Sequence, residues 1–479
     1  MADGGRKPNE LLRKARGSMS QEALAEQVNL AIYRATGHTA DIEAKVISAY
    51  ERGWHTWPRD EVRSALCEVL QVRTSEELGF YINRPKRRLS EPASVDLLAL
   101  AGKRSTSGVP ECLVVPAGRS YFGTEISAYY QNVDRHSSNQ LLIRPDEQVL
   151  AQLSKPDRRS MVFAVDSEHR HYVADGRRVG DRARGGAELQ AVPLANVVDD
   201  LTVGIIWATA NADSALLADD AQLERSQLYV MAQQEREASQ GAVDEVPSLN
   251  RVAALWLGSQ FCSRYIVRHL DQVGDDPLFW TREQRGEDAA AWLLWAHKFE
   301  YLRHVWRRFP RARRGFCIPE SEVEASPGYE RVMLLLAMAL MEAFGIHVQI
   351  SGESDHAEVE GFVLADQAIV ASWLDSPGLW CVEASASGSR LATYRELADQ
   401  VGGESLLTQT TPLERLAAAA DYLRVPWGWF RRRCAELAAV GVDDICHPRS
   451  RLLSTRGLNT AVSYVAHIDV LEGDDFARR

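Results

Sequence analysis

Lys45, Ser48, Ala49 and Arg52 recur at intervals of one, three and four residues within the segment DIEAKVISAYER (41–52), the spacing that gathers side chains on one side of an α-helix. Their types define a chemistry. Two long cations, a hydroxyl that donates and accepts, and a methyl group small enough for close approach together suit the base edges and phosphate oxygens of a duplex. Other chemistries leave weaker traces. A phosphate-cradling loop needs glycines that let backbone amides wrap an anion, yet Gly102-Lys103 has Leu97 where the first glycine would stand, and no GxGxxG occurs. Neither HExxH nor GxSxG is present. His169 and His171 within EHRHYV would share one face of a strand, a spacing that can bind metal; a solvated or hydrogen-bonded pair is the plainer reading. The pairs Asp199/Asp200, Asp219/Asp220 and Asp443/Asp444 read as surface charges. The sequence thus marks no catalytic and no metal-ligating residue and implies no cofactor.

The elements that would carry the first group follow from apolar spacing. In 41–52, Val46, Ile47 and Tyr50 share the opposite side, and Gly53 supplies a stop. Upstream, 9–16 (NELLRKAR) and 20–28 (SQEALAEQV) read as two short helices separated by Gly17, with Ser20 as N-cap and Leu24 and Val28 as an apolar stripe. Two short helices supporting a third with a small, polar and cationic outer side is the docking geometry of a helix-turn-helix, with helix 41–52 in the major groove. Between Val28 and Asp41 lies NLAIYRATGHTA, where the simple motif has a short turn. This insertion has two readings: Arg34 and His38 contact phosphate, or the second helix continues through Asn29–Ala35.

The strings MSQEALAEQV and VISAYERG resemble the lambda-repressor/Cro-type (XRE-like) helix-turn-helix family, with S-Q-x-x-L-A at the second helix and I-S-x-x-E-R-G at the recognition helix. The continuation WHTWPRDEVRSALCEVLQVRTSEELGF (54–80) is similar to actinobacterial regulators of this type that have long C-terminal regions. The resemblance implies a transcriptional regulator that binds double-stranded DNA as a homodimer, and it implies a DNA-facing role for Gln21, Lys45, Ser48 and Arg52. Ala49 and Arg34 join the candidate interface from their positions alone. Trp54 and Trp57 read as packing residues.

Charge divides the chain in the same sense. Residues 1–90 carry a net +3, ending in Arg84, Lys86, Arg87 and Arg88, whereas 91–479 carry −14. A protein that coats nucleic acid along its whole surface is excluded by that balance. Seven cysteines without a C-x-x-C pair indicate reduced thiols, and the N-terminus MADGGRKPNE has no apolar leader, so the expected setting is cytoplasmic and nucleoid-associated, with no membrane partner. The chain reads as mainly α with a smaller β component (α+β): a helix-turn-helix domain at 1–88, a linker at 89–109, a small β-rich unit at 110–195, and a mostly helical regulatory or dimerisation body at 196–479. A capping box is expected at Thr281 and Gln284, a buried central helix over 329–344, and strands at 347–351 and 379–384. Arg431, Arg432 and Arg433 suggest either a second nucleic-acid contact or the basic edge of a helical hairpin. The body would dimerise or respond to a small-molecule or protein effector. Two alternatives stand beside this reading: an enzyme targeted by the N-terminal module, and an antitoxin-like scaffold acting through protein partners.

Overall fold

A computed structural model describes residues 8–36, 39–54, 58, 60–72, 75, 77–80, 110–153, 159–235, 249–281, 285–374, 379–384 and 388–470. The chain divides into two compact units, Met1–Pro92 and Ala93–Arg479. Among the described residues helix accounts for 55% and strand for 17%, so the fold is mainly α with a smaller β component. The expected linker 89–109 lies outside the described residues.

Among its described residues the first unit contains four α-helices: α1 (Glu10–Arg16), α2 (Gln21–Thr36), α3 (Ala44–Glu51) and α4 (Asp60–Val69). Asn9 caps α1 by accepting from the Leu12 N–H, and Gly17, at φ +60°, ends it. Ser20 caps α2 through the Ala23 N–H at 3.1 Å. Leu12, Leu24, Val28, Ile32, Ile47 and Leu66 fill the core, each burial contributing about 1.5–3 kcal/mol. Of the two readings of the insertion, the structure follows the continued helix, α2 running to Thr36. One boundary differs from expectation: α3 begins at Ala44, three residues after Asp41. One side chain explains the later start: Asn29 donates to the Ile42 carbonyl and accepts from the Ile42 N–H, both at 2.9 Å, so both backbone groups of Ile42 are taken before α3 can use them. The unit closes on itself, because Asn9 Nδ2 also donates to the Leu78 carbonyl at 2.8 Å. At Gly79 (φ +71°) a side chain would fall on Asn9 Oδ1, so closure requires glycine there.

The second unit begins with β1 (Glu111–Val115), β2 (Thr124–His136), β3 (Gln140–Ile143), α5 (Glu147–Leu153), β4 (Arg159–Val165), β5 (His171–Asp175), α6 (Gly176–Arg184) and β6 (Gln190–Pro193). These strands form one six-stranded sheet, ordered β5-β4-β2-β3-β6 with β1 beside β2. Next come α7 (Asp200–Ala218), α8 (Asp220–Glu235), α9 (Arg251–His269), β7 (Leu278–Thr281), α10 (Gly286–Leu294), α11 (Ala296–Arg308), β8 (Arg313–Cys317), α12 (Glu320–Ala325), α13 (Gly328–Ala343) and β9 (His347–Ser351). The chain finishes with β10 (Gly361–Leu364), β11 (Ala368–Leu374), β12 (Leu379–Ala384), α14 (Gly388–Glu404), α15 (Pro412–Tyr422), α16 (Trp427–Val440) and α17 (Arg456–His467). The second sheet is ordered β12-β11-β10-β7-β8-β9, and β7, β8 and β9 run parallel, joined by helical crossovers.

Helices α7 and α13 are buried almost all round and form the centre of the core. By length and composition α7 is apolar enough to cross a membrane, yet 83% of its apolar window is buried inside the protein. The buried carboxylate on α13, Glu342, is held by Arg415 of α15 through two bonds of 2.8 and 2.7 Å. A second ionic staple joins the first sheet to the helices. Arg159 of β4 reaches Asp213 of α7 at 2.6 Å, Asp175 at 3.1 Å and the His447 carbonyl at 3.0 Å, and Asp213 also accepts from the Arg449 and Ser450 N–H groups. The segments 110–195 and 196–479 are therefore bolted together within one unit. The capping-box expectation fails: Thr281 ends β7, its hydroxyl accepting from Arg314 at 2.6 Å, while the capping box forms instead at Thr411 and Glu414. Gln284 lies outside the described residues.

Candidate nucleic-acid interface

Helix α3 turns Ile47 and Tyr50 inward, 0% and 7% exposed, with Tyr50 meeting Phe80 edge-on at 5.8 Å. Its other side carries the four candidates. Lys45 and Arg52 are exposed, and Ser48 and Ala49 are half-buried between them. At 100° per residue the four fall within one arc of the helix, Arg52 standing at its C-cap. The nearest partner of Lys45 is Glu43, 2.7 Å away, a hydrogen bond that raises the lysine above its ordinary value. Both partners are exposed, so water and salt weaken the pair and the ammonium can leave it for a phosphate.

What aims this helix is a residue of the same motif. Glu51 is 2% exposed and accepts from Arg16 Nε at 2.6 Å and from Gln21 Nε2 at 2.7 Å, while its carbonyl accepts from the Asn9 N–H at 2.8 Å. Burial alone would push the carboxyl up, but the hydrogen bonds from Arg16 and Gln21, with the charges of Arg16 and Arg13, outweigh it and hold Glu51 below its usual value. One carboxylate thus locks α3 to the ends of α1 and α2. The side-chain amide of Gln21, expected to face DNA, is directed inward to this carboxylate. Glu51 falls on the inward arc beside Ile47, and a carboxylate at an apolar position requires a cation; that requirement is the sequence signal for it.

Arg34 is exposed on the last turn of α2, in the continued helix, and His38 lies outside the described residues. Trp54 departs from its packing expectation: it is 61% exposed, because the chain leaves α3 through the Gly53 turn with the Trp54 N–H on the Ala49 carbonyl at 2.9 Å. Trp57 and the cluster Arg84, Lys86, Arg87 and Arg88 lie outside the described residues.

The remaining motifs are structural. His169 sits at φ +63° in the turn between β4 and β5, whereas His171 is buried in β5 against the edge of Tyr130, so they do not share a strand face. Among the described residues, no group of three or more His, Cys, Asp or Glu side chains is placed to hold a metal ion. The aspartate pairs are not simply surface charges: Asp199 caps α7 and binds Arg433, buried Asp219 accepts from the Asn250 N–H at 2.6 Å, and Asp443 is held low, against burial, by Thr455, His447 and Asn459. Arg433 is buried on Asp199 and the Ala195 carbonyl, and Arg431 pairs with Asp469, which fits the helical hairpin.

No family model, curated protein or solved structure matches the chain.

Proposed function

We propose that the chain is a DNA-binding transcriptional regulator of the helix-turn-helix kind, acting in the cytoplasm on the nucleoid. Helix α3 would enter the major groove, with Lys45 and Arg52 on phosphates or guanine edges and Ser48 and Ala49 against the bases. The observation that carries this reading is the open side of α3: its cationic, small-residue arc faces outward on a helix fixed by Glu51 from behind. Arg34 would meet the backbone, while Gln21 would support α3 through Glu51 and not touch a base itself. The acidic second unit would dimerise or respond to an effector, so that two reading heads fit half-sites about one helical turn apart.

Fluorescence anisotropy with labelled genomic duplexes at several salt concentrations tests this. Association that weakens linearly in log salt is expected. Absence of salt-dependent binding to every duplex refutes it.

A further inference from the structure

Beyond duplex recognition, the second unit holds a cavity of about 230 Å³ where two parallel strands end. Cys317 and Ser351, the last residues of β8 and β9, are partners in register, and the cavity lies beyond those C-terminal ends, lined by residues that follow both strands. Ser351 is 4% exposed and lines this cavity. Its Oγ lies 2.7 Å from His356 Nδ1, and His356 Nε2 lies 3.2 Å from Oε1 of Gln400 on α14. With Nε2–H donating to Gln400, Nδ1 keeps a lone pair for the Ser351 hydroxyl proton. The Trp280 ring meets the imidazole edge-on at 6.1 Å and restrains its plane. Hydroxyl, base and orienting group thus stand in the order that nucleophilic catalysis requires, all three on the cavity wall.

We propose that Ser351 is an acyl-accepting nucleophile, with His356 as its general base and Gln400 as the positioning residue, and that the site cleaves short-chain carboxylic esters. Ser351 Oγ bonds to the ester carbonyl carbon while His356 Nδ1 takes its proton. The adduct collapses, the carbon–oxygen bond to the alcohol breaks, and His356 returns the proton to the departing oxygen. Water then attacks the acyl-serine by the same route, releasing the acid and restoring the hydroxyl. Val401 and Leu406 supply an apolar wall for a small acyl group, and the carboxylates of Glu320 and Glu353 disfavour anionic substrates. Neighbouring nucleophiles are otherwise engaged: burial pushes the Cys317 thiol up to about 12, and the Tyr422 hydroxyl donates to the Ile318 carbonyl at 2.6 Å. Gly352 keeps the floor open, with Tyr422 and Leu406 the nearest atoms to a side chain there.

The full chain is treated with an alkyl fluorophosphonate, the adduct is mapped by peptide mass spectrometry, and p-nitrophenyl acetate turnover is followed in parallel. The expected result is one phosphonate per chain, on Ser351, and a roughly hundredfold loss of turnover in Ser351→Ala and His356→Ala. Gln400→Leu should lower kcat with KM unchanged, and Gln400→Glu, which keeps the acceptor, should restore it. No adduct on the wild-type chain, an adduct on another residue, or wild-type turnover by Ser351→Ala overturns the proposal. The labelling is read on the wild-type chain, so it decides even where a variant does not fold.

Discussion

On the outer side of α3, single side chains would separate the proposed recognition from folding. Lys45 and Arg52 are exposed, so replacing either by alanine should leave the melting temperature unchanged while weakening duplex binding. For a lysine on a phosphate, Lys45→Ala should also reduce the slope of log affinity against log salt by about one, measured by anisotropy across a salt series. Glu51 should behave in the opposite way. Because its carboxyl is held below its ordinary 4.5 in the fold, it contributes stability that is present above that value and lost as pH falls through the lower folded value. Thermal melts should therefore show Glu51→Gln less stable than wild type at pH 7 and the gap narrowing at pH 3; a gap that stays constant would contradict the linkage. The outer arc is legible in the sequence because helical spacing alone sorts Lys45 and Arg52 from Ile47 and Tyr50. The inward turn of Gln21 is not, since its partner lies thirty residues away and only the folded contact selects it.

Among the elements, the junction between α2 and α3 rests on Asn29. Asn29→Ala removes both bonds to the Ile42 backbone and should cost the first unit about 1–3 kcal/mol, read from urea unfolding of the full chain with a probe placed in that unit. Elements whose signal is local are legible in the sequence: α13 from its unbroken apolar run, and β9 and β12 residue for residue. Those whose signal is non-local are not. Strand β8 opens with Arg313 and Arg314, a polar start that masks a buried strand, and β7 is four residues long and ends in a threonine that mimics a helix cap. The break between α10 and α11 leaves no local trace either, because it comes at Trp295, whose extended backbone bridges to Leu453, a contact across more than 150 residues.

For the molecule as a whole, the Arg159–Asp213 contact governs whether the first sheet and the helical core act as one body. Asp213→Ala would leave the guanidinium buried with part of its partners gone, and should destabilise the second unit by about 3–5 kcal/mol in guanidinium unfolding. The fold class is visible from alternating apolar patterns, but the fusion of 110–195 with 196–479 is not, because the staple is made of isolated charges far apart in the chain. The first unit has a different kind of wholeness. Asn9 touches Leu78, so the chain at the start of α1 and the chain after α4 are neighbours, and a segment cut at two such points can be spliced into a surface loop of an unrelated host without stretching either. That segment is in this sense a portable cassette.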